Sequence, residues 1–532
     1  MYLIFNSFKD FYLRHCPIFS DEISITELHS SAPFLFWTIV IIASRCHPSL
    51  SHIYDELEDP YQELLAKILI APILNLAPIQ GLILLCIWPL AVSMQIDDPT
   101  WNYCGLLTNA AMKLGLHKIC MANNDQDMTA KQHTRVRLKT WMACYSINCS
   151  QSWQTGIRVP SNLNFADSRW IPSLPRTRAE SDFTMKVTIY RQYAKATSIQ
   201  SRLDNERDET SVVQILCKDL GTLRDDHRDV WSLEAEILVL GSQLSLYAAQ
   251  LEGATNRLFP NESSHSMQTD SSRAILVNLA FTVAVRLIYN ISELANPSII
   301  TQDVHGAPVD SSCSPSTADN TNLKSNCDFS KMPLRYLPKH YMLMFALATI
   351  LIFKVRTTHP NAVRYNEDLG QNHILIAYDL LGRWSMKRDD EPSRIQRLIE
   401  VLSRADRQHI LNMKDLRTGD EPRSGFTMMT DAILTAKSLR EKVGIIVSED
   451  GKTTDLNAIK QIPLAETGAS TAVNFTNQTD SDQLDREQYL EDSNLYTGIP
   501  WDFDIPVALE QFDFDIVDDP TSQSTNSFGY YI

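Results

Sequence analysis

Between Asp480 and Asp519 the chain carries 13 acidic residues against a single basic one, Arg486. That stretch supplies −12 of the formal net charge of −16, so residues 1–479 carry only −4. Trp501, Phe503, Phe512 and Phe514 are threaded through the charge, in the runs Pro500-Trp-Asp-Phe-Asp-Ile505 and Gln511-Phe-Asp-Phe-Asp-Ile516. Each ring is flanked by carboxylates that demand water, so the segment cannot fold around its own apolar groups. A core has to be built upstream of it. The composition of 446–532 predicts an amphipathic disordered tail that offers its aromatics to a groove on another protein. The plainer alternative is a solvated acidic tail with no partner.

Upstream, the pattern is helical. Seventeen glycines in 532 residues are few for phosphate-binding loops or β-rich folds, and they suit helices. The apolar fraction of 44% allows a large core, and the length admits roughly two to four domains. Apolar residues at Trp101, Cys104, Leu107, Ala111 and Leu114 fall three and four apart and predict a helix over Trp101–Leu116. Further helices are expected over Arg135–Trp153, Trp231–Leu251, Arg273–Leu294, Tyr336–Val355 and Asn372–Lys387. Pro392–Arg404 and Phe426–Val443 complete the series. Pro33-Phe-Leu-Phe-Trp-Thr-Ile-Val-Ile-Ile-Ala43 reads as strand or helix by periodicity alone, and its length and neighbours favour helix. Gly105 is expected at a close helix contact, Gly115 at the end of its helix, and Gly156 and Pro160 after the next one. The polar stretches Glu252–Ser272 and Asn296–Pro333 are breaks, the second read as a disordered insertion. The expectation is an all-α fold: one large multi-helix domain over 1–445, then the tail.

Several function classes fall away on inspection. The acidity disfavours nonspecific nucleic-acid binding by the body. The densest basic groups, Arg135, Arg137 and Lys139 and then Arg383, Lys387 and Arg388, read as solvated helix faces. The apolar stretch Ile68–Met94 is interrupted by Pro72, Pro78 and Pro89, and its clean run Leu82–Trp88 is far shorter than the roughly 20 residues of a spanning helix. Buried helices and no membrane are expected. Ten cysteines include no Cys-x-x-Cys pair and read as buried, reduced thiols. Gly451-Lys-Thr453 resembles the end of a phosphate-binding loop, but Ile446 stands where that loop needs glycine. No His-Glu-x-x-His and no Gly-x-Ser-x-Gly occurs, so no catalytic residue is assigned.

One ordered set of short motifs remains. Gln80-Gly-Leu-Ile-Leu-Leu-Cys-Ile-Trp-Pro89 is followed by Trp101-Asn-Tyr-Cys-Gly105 and by Ala110-Ala-Met-Lys-Leu-Gly-Leu-His117. Then come Arg135-Val-Arg-Leu-Lys-Thr-Trp141, Gly156-Ile-Arg-Val-Pro160 and the apolar helix Lys339–Lys354. This order resembles the regulatory, or middle homology, domain of fungal binuclear-zinc-cluster transcription factors, over roughly residues 5–445. Phe34-Leu-Phe-Trp37 and Ile42-Ala-Ser-Arg45 resemble the branch with regulators of secreted proteases and weak-acid stress. The resemblance implies an all-α domain that regulates an attached DNA-binding module, an acidic activation segment and a nuclear location.

The chain also departs from that family. Its six-cysteine zinc cluster, basic stretch and dimerising coiled coil have no counterpart here, so no zinc and no other cofactor is expected. Three explanations stand side by side: a truncated gene model, a degenerate paralogue, or a regulator without its own DNA contact, the first two being favoured. Arg158 stands two residues after Gly156 where the family has arginine at one. Of the family's Arg-Arg-x-Trp-Trp helix only Arg137 and Trp141 are present. Trp101, Gly105, Gly115, Leu116, His117, Arg137, Trp141, Gly156 and Pro160 are expected to be structural, with Trp101, Leu116 and Trp141 in the core. Trp501, Phe503, Phe512 and Phe514 are the expected anchors for coactivators. A homo- or heterodimer is left open. The rival readings are a helical enzyme with an acidic solubility tail, and a dominant-negative scaffold that pairs with a full-length relative.

Overall fold

The computed structural model of the chain describes residues 1–19, 24–47, 49–92, 97–118, 128–160, 163, 177–202, 206–255, 266–295, 333–360, 366–387, 390–404 and 425–443. The expected insertion Asn296–Pro333, apart from Pro333 itself, and the tail with Trp501, Phe503, Phe512 and Phe514 lie outside the described residues.

Among the described residues the architecture is all-α, with fifteen α-helices and no strand. α1 (Tyr2–Ser7) runs into a π-helical turn, Phe8–Tyr12. α2 (Ile25–Ser31), α3 (Pro33–Arg45), α4 (Ser51–Ile70), α5 (Leu76–Ile87) and α6 (Thr100–Lys113) follow. Next come α7 (Met128–Thr155), α8 (Arg178–Gln200), α9 (Glu206–Asp226), α10 (Leu233–Thr255) and α11 (Ser266–Leu294). α12 (Lys339–Thr358), α13 (Glu367–Trp384), α14 (Glu391–Arg404) and α15 (Gly425–Val443) complete the body.

The helices form two packed groups. In the first, α3 packs on α1, α2, α4 and α5, and α5 packs on α6. In the second, α10 packs on α8, α9, α11, α12 and α15. The long α7 joins them, touching α5 and α6 on one side and α8, α12 and α15 on the other.

Sequence explains the centre. Every residue of α12 from Tyr341 to Phe353 is buried, and a helix apolar on all faces must sit among other helices. Lys339–Thr358 and Arg273–Leu294 are long and apolar enough to cross a membrane, but 78% and 50% of their most apolar windows are buried inside the body. Pro33 opens α3 at a position that needs no amide donor, and Phe34, Leu35, Phe36 and Thr38–Ser44 are buried. The helix reading of that apolar run therefore holds. Gly115 (φ +72°) and Gly156 (φ +74°) take the left-handed conformation just beyond α6 and α7, as expected of helix stops. α10 and α11 extend into the predicted 252–272 break as far as Thr255 and back to Ser266.

Two expectations for α6 fail. Trp101 is 42% exposed, not in the core. The buried face of α6 is Thr100, Tyr103, Cys104, Leu107, Thr108 and Ala111, and Trp101 falls about 100° to one side of Thr100. Gly105 is exposed, and a Cβ there would meet nothing within 4 Å. The close approach is at Gly81 of α5, where a Cβ would lie 2.5 Å from the Phe34 ring of α3.

These two glycines should respond in opposite directions. Gly81→Ala should cost about 1–3 kcal/mol, because its Cβ would lie 2.5 Å from the ring of Phe34, which is itself buried. Gly105→Ala should add about 0.5–1 kcal/mol by restricting the unfolded chain. Urea unfolding of the two variants reads both, and a shift of the same sign in each would refute the packing described.

Candidate functional site

The motif residues gather at one corner of the fold. α6 ends at Lys113, and Gly115 turns the chain so that Leu116 is fully buried. Arg137 of α7 donates to the Leu114 carbonyl at 2.8 Å, satisfying an acceptor left open at the helix end. The His117 and Trp141 rings lie 6.0 Å apart, and Trp141 is buried. Gly115, Leu116, His117, Arg137 and Trp141 thus form one α6–α7 joint. Gly156 and Pro160 lie beyond the far end of α7, and Trp101 and Gly105 on the exposed side of α6. None of the nine lines the cavity described next.

The expected solvated face at Arg135 and Lys139 is instead buried, at 3% and 2% exposure. Four residues apart on α7, they turn toward Glu180 of α8. Arg135 is ion-paired with Glu180, Lys139 Nζ lies 3.0 Å from its Oε1, and Lys139 also donates to the Phe19 carbonyl at 2.8 Å. Thr177 caps α8 by accepting from the Glu180 amide at 3.3 Å, which sets the carboxylate on the first turn. Counter-charge from a neighbouring helix is what permits this burial.

A cavity of about 60 Å³ lies where residues 15–16, the end of α5, α7, α8 and the start of α12 meet. Its polar lining is His15, Ser146, Ser150, Lys186, Tyr190 and His340. Most of the remaining wall is apolar, with Phe183 and Tyr341 among it. Ile87, Ser146 and His340 are the partly exposed members of the lining and mark its mouth.

Beside the cavity sits the buried Glu234 of α10. Lys186 is ion-paired with it, His15 Nδ1 lies 3.1 Å away, Arg14 lies 3.3 Å away, and the Tyr341 hydroxyl donates to it at 3.4 Å. Burial alone would raise the carboxyl. The facing His15, Lys186 and Arg14 outweigh that and hold it well below the usual carboxylate range. Burial, helped by Lys186 and Arg14, lowers His15 against the opposing pull of Glu234, so its imidazole is neutral near pH 7. His340, whose nitrogens lie 2.9 Å from the Tyr190 hydroxyl, is pushed down to about 3 by burial and by Lys186.

A third buried cluster ties α12 to the loop before α6. Lys339 Nζ contacts Asp98 at 2.7 Å and Glu391 at 2.9 Å.

Cys16 lines the cavity beside His15, but burial pushes its thiol up to about 12, so no thiolate forms at neutral pH. Among the described residues no three His, Cys, Asp or Glu side chains are grouped to hold a metal. Sequence reading missed Glu234, Lys186, His15 and His340. Their partners stand 48 to 220 residues apart, and the one local signal was a lysine inside the apolar run Phe183–Ile189.

The depressed histidines fix the sign of one pH effect. Below pH about 6.5 the unfolded chain takes up protons that folded His15 and His340 refuse, so stability falls as pH drops. The Glu234 and Asp98 contributions, from lowered carboxyls, are present above the carboxylate range and are lost only in stronger acid. Urea midpoints should therefore decline between pH 6.5 and 4.5. His340→Phe should reduce that slope by at most about 1.4 kcal/mol per pH unit. An unchanged slope would contradict the buried neutral state of His340.

Comparison with known proteins identifies relatives over part of the chain. It is 29% identical over 167 residues to the transcriptional regulatory protein SEF1 of Candida albicans, covering 30% of this chain and 18% of that protein. It is 22% identical over 225 residues to the regulatory protein LEU3 of Saccharomyces cerevisiae, covering 39% and 24%. The putative transcription factor SEF1 of Saccharomyces cerevisiae is 32% identical over 108 residues, covering 20% and 9%. The matches thus span no more than about a quarter of these relatives. No family model and no solved structure matches the chain. The chain is related to fungal transcription regulators, the class of protein that the order of its short motifs resembles.

Proposed function

We propose that the chain is a transcriptional regulator of the fungal zinc-cluster type that acts in the nucleus. Its helical body serves as the regulatory domain, and 446–532 serves as the activation segment. The observation that carries this reading is the match to SEF1 and LEU3, regulators by name, in a chain whose described body is all-α. Trp501, Phe503, Phe512 and Phe514 anchor the tail in a coactivator groove, and the surrounding carboxylates keep the rings exposed and steer them to a basic partner. These 532 residues contain no Cys-x-x-Cys pair, so the reading assigns no zinc to them and has DNA reached through another module or a partner.

Reporter transcription tests this. Residues 1–532, 1–479 and 446–532 are each fused to an unrelated DNA-binding domain. The 446–532 fusion should activate and the 1–479 fusion should not. Replacing the four aromatics with alanine should reduce activation at least about tenfold, since each buried aromatic anchor carries on the order of 2 kcal/mol. Silence from every well-expressed fusion would sink the activator reading.

A further inference from the structure

The cavity between α7, α8 and α12 has no part in the reading above, and its chemistry restricts what can enter. Two positive charges, on Lys186 and Arg14, converge on Glu234. Lys186 is thereby compensated at the cavity wall, while Arg14 is 31% exposed and reaches water. Both histidines of the lining are uncharged at neutral pH. A bound anion or cation would lose its hydration without finding a free counter-charge. Hydrogen-bonding capacity does remain. The Ser146 hydroxyl donates to the Met142 carbonyl at 3.0 Å and keeps its lone pairs, and the Tyr190–His340 pair also borders the lining. The free space is small, about 60 Å³, so a ligand must be compact or enter by one end.

The geometry points to a binding site for a compact neutral molecule, or for the neutral end of a longer one, with one hydroxyl or carbonyl on an apolar frame. It enters past Ser146 and His340, sets its apolar part against Phe183 and Tyr341, and bonds its oxygen to the Tyr190–His340 pair or to Ser146. The site is formed wholly by the helical body, so it stands or falls independently of the tail and of transcription.

The test uses three probes of one skeleton, 1-butanol, butyrate and butylammonium, with the purified full chain at neutral pH. Saturation-transfer NMR reads binding. Butanol should bind, and the two ions should bind at least about tenfold more weakly. Ser146→Trp, at the partly exposed mouth, should weaken butanol binding at least about fivefold while circular dichroism and the urea midpoint stay unchanged. Ala143→Leu fills the interior and should do the same. If that variant fails to fold, Ser146→Trp decides alone. No butanol binding at millimolar concentration, equal binding of either ion, or binding indifferent to Ser146→Trp would each overturn the assignment. Reporter activity of the same variants reads the transcriptional role separately.

Discussion

One buried carboxylate holds the two halves of the fold in register. Glu234 lies on α10, in the C-terminal group, and its partners come from the segment after the π-helical turn, from α8 and from α12. Apolar packing could bring these elements together, but it is tolerant of small slides and rotations. An ionised carboxyl in the interior is not tolerant. A buried carboxylate left without its counter-charges costs about 3–5 kcal/mol. A buried ionic cluster therefore adds little net stability and much intolerance of the wrong arrangement. In this chain it excludes dockings of residues 1–19 against the α8–α10–α12 group that fail to bring Arg14 and His15 to Glu234.

The same device recurs twice. Glu180 with Arg135 and Lys139 fixes α8 on α7, and Lys339 with Asp98 and Glu391 fixes the start of α12 between the loop before α6 and the start of α14. In each case the charged residue sits on the first turn of a helix, Glu180 on α8, Glu234 on α10 and Lys339 on α12. Two of the three are acidic, where a helix N-terminus favours negative charge. Between these joints the walls are apolar, and the cavity is the space left where α7, α8 and α12 diverge around Lys186 and Tyr190.

Helices were legible because their signal is local. The three- and four-residue spacing in α6, the apolar run of α3 and the glycines at 115 and 156 each act within a turn or two of their own position. Trp101 misled because periodicity gives an angle only once the buried face is known, and Tyr103 and Thr108 shifted that face away from it. Gly105 misled because absence of a side chain permits close approach without requiring it. Arg135 and Lys139 misled more deeply. Nothing within α7 indicates that Glu180, more than 40 residues on, will meet them in the interior. The cavity was illegible for the same reason, since its walls come from five separate segments.

That last misreading bears on how such a body could take part in transcription. Arg135, Arg137 and Lys139 form the densest basic run in the chain, and a run of that kind on a surface would attract phosphates. Here Arg135 and Lys139 are internal and share the carboxylate of Glu180, and Arg137 is occupied at the end of α6. Among the described residues the run therefore offers no stripe that could track a nucleic-acid backbone. Its positive charge is turned inward, to hold helices together. The acidic 480–519 segment, with net charge −12, has the sign of a phosphate and repels it. Neither the inward-turned basic run nor the acidic 480–519 segment is suited to a phosphate backbone.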